Sequence, residues 1–132
     1  MQLSRSVSYA VGILLRLAAE GGGPLTAARI ARGCRFPPRF LYRVLRRMVD
    51  AGLLRGVSGP GGGYALARKP RAISLLDVVV AVDGDVRAVP LPPVTPRHRR
   101  AMQEINALQE RQTEALRKEL SRLNLARLCR LK

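Results

Sequence analysis

The stretch FPPRFLYRVLRRMVDAGLLRGVSGPGGGYALAR, residues 36–68, decides the fold that this sequence predicts. Pro37 and Pro38 suit the first turn of a helix, because the N–H that proline lacks has no partner there. The apolar residues that follow recur at helical spacing, at Leu41, Val44, Leu45 and Met48. The opposite side of this helix carries Arg39, Tyr42, Arg43, Arg46 and Arg47. Gly52 ends the helix, which therefore buries one face and presents a cationic one.

The rest of that stretch predicts a β-hairpin. Two short strand-like pieces, Leu53–Val57 and Tyr64–Ala67, flank a loop that contains four glycines and one proline. Glycine supplies the positive φ angles that tight turns require, so the loop is typical of a hairpin tip.

The residues before the stretch predict two further helices. Between Ser6 and Glu20 the apolar positions follow the three- and four-residue spacing of a helix buried on one side, and they are Val7, Ala10, Val11, Leu14, Leu17 and Ala18. Gly21–Gly23 with Pro24 stop that helix. Thr26 is a candidate N-cap for a short second helix, which carries Ile30 inward and Arg29 outward.

The residues after the stretch predict a fourth helix and then a change in character. Ile73–Val82 follows the N-cap candidate Ser74 and closes near Gly84. Four prolines between residues 85 and 96 make a semi-rigid connector. Residues 97–128 contain no Gly or Pro, which predicts one helix on the order of 45–50 Å long. We therefore expect a domain at 1–84, a connector at 85–96 and a dimerisation helix at 97–132.

One apolar stripe runs along this last helix, and it comprises Met102, Ile105, Leu108, Leu116, Leu120 and Leu123. The front part is too small to cover a stripe of that length, so we expect a second copy of the chain to cover it.

Composition indicates a polyanionic partner. The chain has 132 residues, enough for one domain. It has 24 Lys and Arg residues against 9 Asp and Glu residues, which gives a net charge of +15. Arginine accounts for 21 of these 24 basic residues, and part of that excess reflects an arginine-rich coding bias and not selection for a ligand. Between Thr26 and Arg71, however, eleven basic residues face one acidic residue, Asp50. Three helices followed by a glycine-tipped hairpin give the order of a winged helix-turn-helix, and the third helix fits the DNA major groove.

Four segments, SYAVGILLRLA, FPPRFLYRVLRRMVDAGLL, GPGGGYALAR and ISLLDVVVAVDG, resemble the Rrf2 type of bacterial transcription regulators, the family of IscR, NsrR and CymR. The resemblance covers roughly residues 1–84. It implies a homodimer on partly palindromic DNA, with the third helix in the major groove and the wing over the minor groove. The predicted DNA-contacting set is Arg29, Pro38, Arg39, Tyr42, Arg43, Arg46, Arg47, Ser58, Gly61, Gly62 and Gly63.

The chain also departs from that family. Cluster-binding members carry three cysteines in the connector, whereas residues 84–100 here contain none. The two cysteines, Cys34 and Cys129, are too few for a thiolate-held iron–sulfur cluster, so we expect no cofactor and no metal. Many members have an arginine where Ser58 stands, and often a polar or acidic residue where Tyr42 stands. Minor-groove reading at the position of Ser58 therefore does not carry over from the family, with Arg55 or Arg68 as candidate substitutes, and neither does the operator sequence.

These observations predict a cytoplasmic, dimeric, sequence-specific DNA-binding regulator, a repressor and not an enzyme. A single histidine, His98, and a glycine run without the GK[ST] of a phosphate-binding loop argue against catalysis. Neither a signal peptide nor a membrane span is predicted. The alternative from another class is a basic RNA-binding or ribosome-associated protein with a winged-helix fold. A third is a module regulated by a protein partner or a small ligand, for which the connector is the candidate segment.

Overall fold

The computed structural model describes residues 2–131, which form six α-helices and one β-hairpin. The elements in chain order are α1 (Arg5–Ala19), α2 (Ala27–Ala31), α3 (Pro38–Asp50), β1 (Leu54–Val57), β2 (Gly63–Leu66), α4 (Leu75–Asp83), α5 (Arg99–Arg122) and α6 (Leu125–Cys129). Short 3-10 turns occupy Pro70–Ala72 and Pro96–His98. The fold is mainly helical with a two-stranded wing, and the predicted fold class is confirmed.

The predicted starts of three helices are also confirmed. The Thr26 hydroxyl accepts a hydrogen bond from the Arg29 N–H at 3.2 Å and so caps α2. Pro38 occupies the first turn of α3. At α4 the Ser74 hydroxyl accepts from the Asp77 N–H and the Asp77 carboxylate accepts from the Ser74 N–H, both at 3.0 Å. This reciprocal capping box fixes where α4 begins.

The wing is an antiparallel pair in which Leu54 faces Leu66 and Val57 faces Gly63. On the other side of β2, Leu25 and Tyr64 exchange backbone hydrogen bonds at 2.9 and 2.8 Å. A Cβ on Gly63 would lie 2.2 Å from the Leu25 carbonyl oxygen, and its φ is +137°. Only glycine fits at this crossing.

One apolar core joins all the major helices. It includes Ile13 and Leu14 of α1 and Leu45 of α3, none of them exposed. The predicted inward face of α3 is confirmed, since Leu41, Val44, Leu45 and Met48 are all at most 5% exposed. On α1 the predicted inward positions are correct at Val7, Ala10, Leu14 and Leu17, whereas Val11 and Ala18 are half-buried and the unpredicted Ile13 takes the central place.

The single helix predicted over residues 97–128 is wrong. The chain becomes extended at Leu123 and Asn124, which separates α5 from α6. The break is held by the segment before α4: the Leu75 N–H donates to the Leu123 carbonyl, and the Leu125 N–H donates to the Ile73 carbonyl, each at 2.8 Å. The Asn124 side chain then caps α6 by accepting from the Arg127 N–H. Backbone pairing with a distant segment thus replaces the last turns of the long helix.

The connector has no regular secondary structure between Gly84 and Val94, as predicted. It is nevertheless anchored at two points. Val86 is fully buried in the core, and the Asn106 side chain of α5 both donates to and accepts from the backbone of Leu91. Within residues 2–131, no helix has the length and apolar character needed to cross a membrane.

Candidate nucleic-acid interface

The outward face of α3 is a row of exposed cationic side chains. Arg39, Arg43 and Arg46 are exposed, and Tyr42 between them is 59% exposed. No carboxylate pairs with any of these three arginines in the described part of the chain. Because a free guanidinium keeps all its donors available, this face can bind phosphates or the acceptor edge of guanine.

Arg43 is oriented by an aromatic group. Its guanidinium carbon lies 5.6 Å from the centroid of the Phe40 ring, within the range of a cation–π contact. Phe40 in turn lies 6.1 Å from Tyr9 of α1, whose ring packs edge-on against Phe36 at 5.1 Å. The three rings therefore connect the cationic face of α3 to α1 beneath it.

Arg47 differs from the other arginines of α3. Its guanidinium donates a hydrogen bond to the main-chain carbonyl of Val82, in the last turn of α4. The last carbonyls of a helix have no partner within the helix, and a cation near them is favoured by the helix dipole. Arg47 therefore joins α3 to α4, a role that the charge pattern alone does not reveal.

The predicted wing residues divide into two kinds. Ser58 and Gly61 are exposed at the tip, where a side chain or backbone can meet a ligand. Gly62 is buried within the turn, since a Cβ there would lie 2.2 Å from the Val57 carbonyl oxygen. Gly63 is half-buried against Leu25. The last two glycines shape the wing, and the first two residues form its outer surface.

Further cationic side chains flank this surface. Arg29 of α2 is exposed, as are Arg32 and Arg35 in the turn that leads to α3. Pro38 is exposed at the start of α3. The structure thus brings Arg29, Pro38 and the arginines of α3 into one helix-turn-helix unit.

The predicted dimer stripe also divides into two parts. Ile105 and Leu108 of α5 are 43% and 49% exposed, and Met102 is half-buried. Leu120, by contrast, is 5% exposed and belongs to the chain's own core, with Leu116 packed against it. Leu123 is half-buried at the break after α5. The amino-terminal part of α5 therefore carries an apolar surface that no other part of residues 2–131 covers.

Ligands for a metal are scarce. Cys34 is half-buried in the turn between α2 and α3, and Cys129 is exposed on α6. Among residues 2–131, no three His, Cys, Asp or Glu side chains are grouped so that they could hold a metal ion. An iron–sulfur cluster requires mostly thiolate ligands, and the donors present do not fit one.

Comparison with known proteins points to transcription regulators. The family model Rrf2, described as an iron-dependent transcriptional regulator, matches residues 3–131. The HTH-type transcriptional regulator IscR of Aliivibrio salmonicida is 36% identical over 89 residues, which are 67% of this chain and 53% of that protein. The HTH-type transcriptional regulator CymR of Bacillus subtilis is 29% identical over 90 residues, 67% of this chain and 65% of that protein. The aligned part spans from about half to about three fifths of the first curated relatives.

Solved structures show the same fold. The structure of CymR, described as the global cysteine regulator of B. subtilis, superposes with a TM-score of 0.79 at 24% identity, covering 98% of this chain and 96% of that one. The structure of T. potens IscR gives a TM-score of 0.67 at 24% identity, covering 96% and 84%. The chain therefore shares the fold of these structures over nearly its whole length.

Proposed function

This chain belongs to the Rrf2 family of transcriptional regulators, and from that premise we propose that it is a homodimeric repressor that reads a specific DNA operator without an iron–sulfur cluster. The observation that carries the proposal is the exposed face of α3, where Arg39, Arg43 and Arg46 have no acidic partner among residues 2–131. On this proposal the protein acts in the bacterial cytoplasm, where the DNA is.

The recognition step follows from the geometry of α3. An α-helix fits the major groove of DNA. An arginine on that helix can form two hydrogen bonds with the O6 and N7 atoms of guanine, or an ion pair with a phosphate. Arg43 is partly ordered by Phe40, so less conformational entropy is lost when its guanidinium binds. Arg29, Pro38, Arg39, Tyr42 and Arg46 complete the proposed helix-turn-helix contacts.

The wing contributes through its tip. In the proposed complex Ser58 and Gly61 approach the backbone of the neighbouring minor groove, and Gly62 and Gly63 hold the turn that presents them. A serine hydroxyl binds a phosphate or sugar oxygen but lacks the charge that favours a narrow minor groove. The wing therefore positions the protein and adds little sequence discrimination.

The dimer forms, on this proposal, through the uncovered part of α5. Met102, Ile105 and Leu108 repeat at three-residue spacing, and the exposed Leu91 and Val94 of the connector supply further apolar side chains. A two-fold pair of such helices places two α3 helices on one duplex, which matches a partly palindromic site. Leu116, Leu120 and Leu123 support this surface from within each chain.

The proposed absence of a cluster rests on the ligand chemistry. The family description mentions iron, yet the chain has two cysteines, located at α2–α3 and on α6, and none in residues 84–100. The regulatory signal that we propose instead is a small ligand or a protein partner. A purified preparation that is colourless above about 320 nm and free of acid-labile sulfide fits the proposal. A brown preparation containing sulfide contradicts it.

Fluorescence anisotropy with duplex DNA from upstream of the protein's own gene tests the main proposal. We expect saturable binding that survives an excess of non-specific competitor and weakens steeply with added salt, because bound phosphates release counterions. Arg43→Ala and Arg46→Ala should weaken binding without lowering the melting temperature. Arg130→Ala, which removes an equal exposed charge after α6, is the matched control and should bind like the parent.

The alternative RNA-binding function makes the opposite prediction in the same assay. The net charge of +15 is compatible with either nucleic acid. Structured RNA that displaces the duplex at lower concentration than unlabelled duplex would favour the alternative. Equal binding by the Arg43 and Arg46 variants and the parent would show that α3 is not the recognition helix.

A further inference from the structure

A solvent-open cleft of about 560 Å³ lies at the base of the wing, and no part of the proposed DNA contact uses it. One wall is the glycine loop Gly21–Gly23 that follows α1. The other walls are Arg55 of β1 and the segment directly after β2, which contains Arg68 and Lys69. Its volume lies within the range of about 300–1,000 Å³ that is typical of small-molecule sites.

The charged side chains that line the cleft are all cationic. Arg55, Arg68 and Lys69 line it, and none of its lining residues is acidic. In the part of the chain described, Arg55 and Lys69 are exposed and make no ion pair. Arg68 binds the Asp77 carboxylate through one nitrogen at 3.3 Å, and this pair leaves the other two guanidinium nitrogens available. Asp77 offsets the charge of Arg68, so the two unpaired cations Arg55 and Lys69 give the cleft its excess positive charge, which favours a bound anion.

The glycine loop is attached to the wing and leaves the cleft open. The Gly22 carbonyl accepts a hydrogen bond from the Leu66 N–H at 2.8 Å, which attaches the loop to β2. Gly23 has φ +92°, and a Cβ there would lie 2.7 Å from the Tyr64 carbonyl oxygen. Because no side chain projects from Gly21–Gly23, the space facing the three cations is not filled by the chain itself.

The cleft is at the opposite end of the hairpin from the wing tip. Arg55 precedes Ser58 by three residues, and Lys69 follows Gly62 by seven. At about 3.3 Å per strand residue, Arg55 lies roughly 10 Å along β1 from Ser58, and Lys69 comes three residues after the end of β2. An anion in the cleft therefore sits behind the surface that we propose to face the groove.

We propose that this cleft is a binding site for a phosphate group, carried by a small phosphorylated molecule such as a nucleotide. Arginine offers a planar pair of donors that matches phosphate oxygens, and lysine adds a compact charge. The same chemistry would accept a backbone phosphate of operator DNA that wraps past the wing. The two sources differ in whether the loss of the site changes DNA affinity.

Isothermal titration calorimetry with inorganic pyrophosphate at constant ionic strength tests the site. The test variant is Arg55→Ala combined with Lys69→Ala, which leaves the Arg68–Asp77 pair in place. The matched control is Arg97→Ala combined with Arg99→Ala, which removes two exposed charges, one in the 3-10 turn before α5 and one at the first residue of α5. We expect the test variant to bind pyrophosphate at least about 10-fold more weakly than the parent, since two charge-assisted contacts are lost, and the control to bind as the parent does.

Anisotropy with the upstream duplex then identifies the source of the phosphate. A test variant that loses pyrophosphate binding and binds DNA as the control does supports a small phosphorylated ligand. A test variant that loses both supports a backbone phosphate of DNA. Parent protein that does not bind pyrophosphate, or a test variant that binds it no more weakly than the control, overturns the proposal. Because the calorimetric arm contains no DNA, its result is independent of the proposed operator recognition.

Discussion

Arg46 and Arg47 stand side by side on α3, and the structure predicts that their replacement has different consequences. Both are exposed arginines of the same helix, so a charge pattern treats them alike. Arg47 alone donates to the carbonyl of Val82 at the end of α4. Arg47→Ala should therefore destabilise the fold, whereas Arg46→Ala should weaken DNA binding and leave the fold as stable as the parent.

The size of the effect follows from that one bond. A hydrogen bond that involves a charged group contributes about 1.5–3 kcal/mol, and a partly exposed position favours the lower half, about 2 kcal/mol. For 132 residues at about 2.1 cal/mol/K per residue, the entropy of unfolding is roughly 0.28 kcal/mol/K. The melting temperature of Arg47→Ala should then fall by about 7 °C.

Thermal denaturation followed by circular dichroism measures this difference. All proteins are compared at one concentration, because the melting temperature of a dimer depends on it. Arg47→Lys is a useful third variant, since it keeps the charge near the end of α4 and one donor, and it should recover part of the loss. If Arg47→Ala and Arg46→Ala melt within about 2 °C of each other, the bond to Val82 contributes nothing in solution and the reasoning fails.

Three further changes have defined outcomes. Gly63→Ala should lower the free energy of unfolding by more than about 3 kcal/mol, because the new Cβ would lie 2.2 Å from a facing carbonyl oxygen. The control Gly56→Ala has open space around it and should be nearly neutral, so equal urea midpoints for the two variants would contradict this prediction. Asp77→Ala removes the carboxylate of the capping box and an exposed ion pair, and it should lower the free energy of unfolding, measured by urea denaturation, by about 1–2 kcal/mol. Ile105→Asp should give folded monomers in sedimentation velocity, whereas Leu120→Asp, which places a charge in the core, should unfold the chain. A folded dimer of Ile105→Asp would refute the proposed dimer surface.

The first four helices and the wing were predictable because their signals are local. The apolar spacing of α3 and the caps at Thr26 and Ser74 each lie within a few residues of the structure that they specify. The glycines between β1 and β2 likewise define the turn from inside it. Where the local preference of a segment agrees with its place in the packed fold, the sequence alone is sufficient to predict that element.

The division between α5 and α6 was not predictable in this way. Residues 97–128 contain neither glycine nor proline, so nothing in them demands a break. The break is stabilised by hydrogen bonds to Ile73 and Leu75, about fifty residues earlier in the chain. The one local signal is Asn124, a good N-cap residue three positions before Arg127, whose N–H it binds. A long-range backbone pairing therefore decides an element that periodicity assigns to the preceding helix.

The site shows the same division between local and distant causes. Periodicity on α3 correctly indicates which side chains face outward, but it does not indicate what each of them meets. The partner of Arg47 is a carbonyl 35 residues away, at the end of α4 from which the connector departs. Beyond it, Arg117 of α5 binds the Val86 carbonyl and the Asp85 carboxylate, both at 2.8 Å. Helices α3 and α5 thus each bind the segment of residues 82–86. This short segment therefore links α3 to α5, in addition to the burial of Leu120 in the core and the backbone hydrogen bonds made by Leu123 and Leu125.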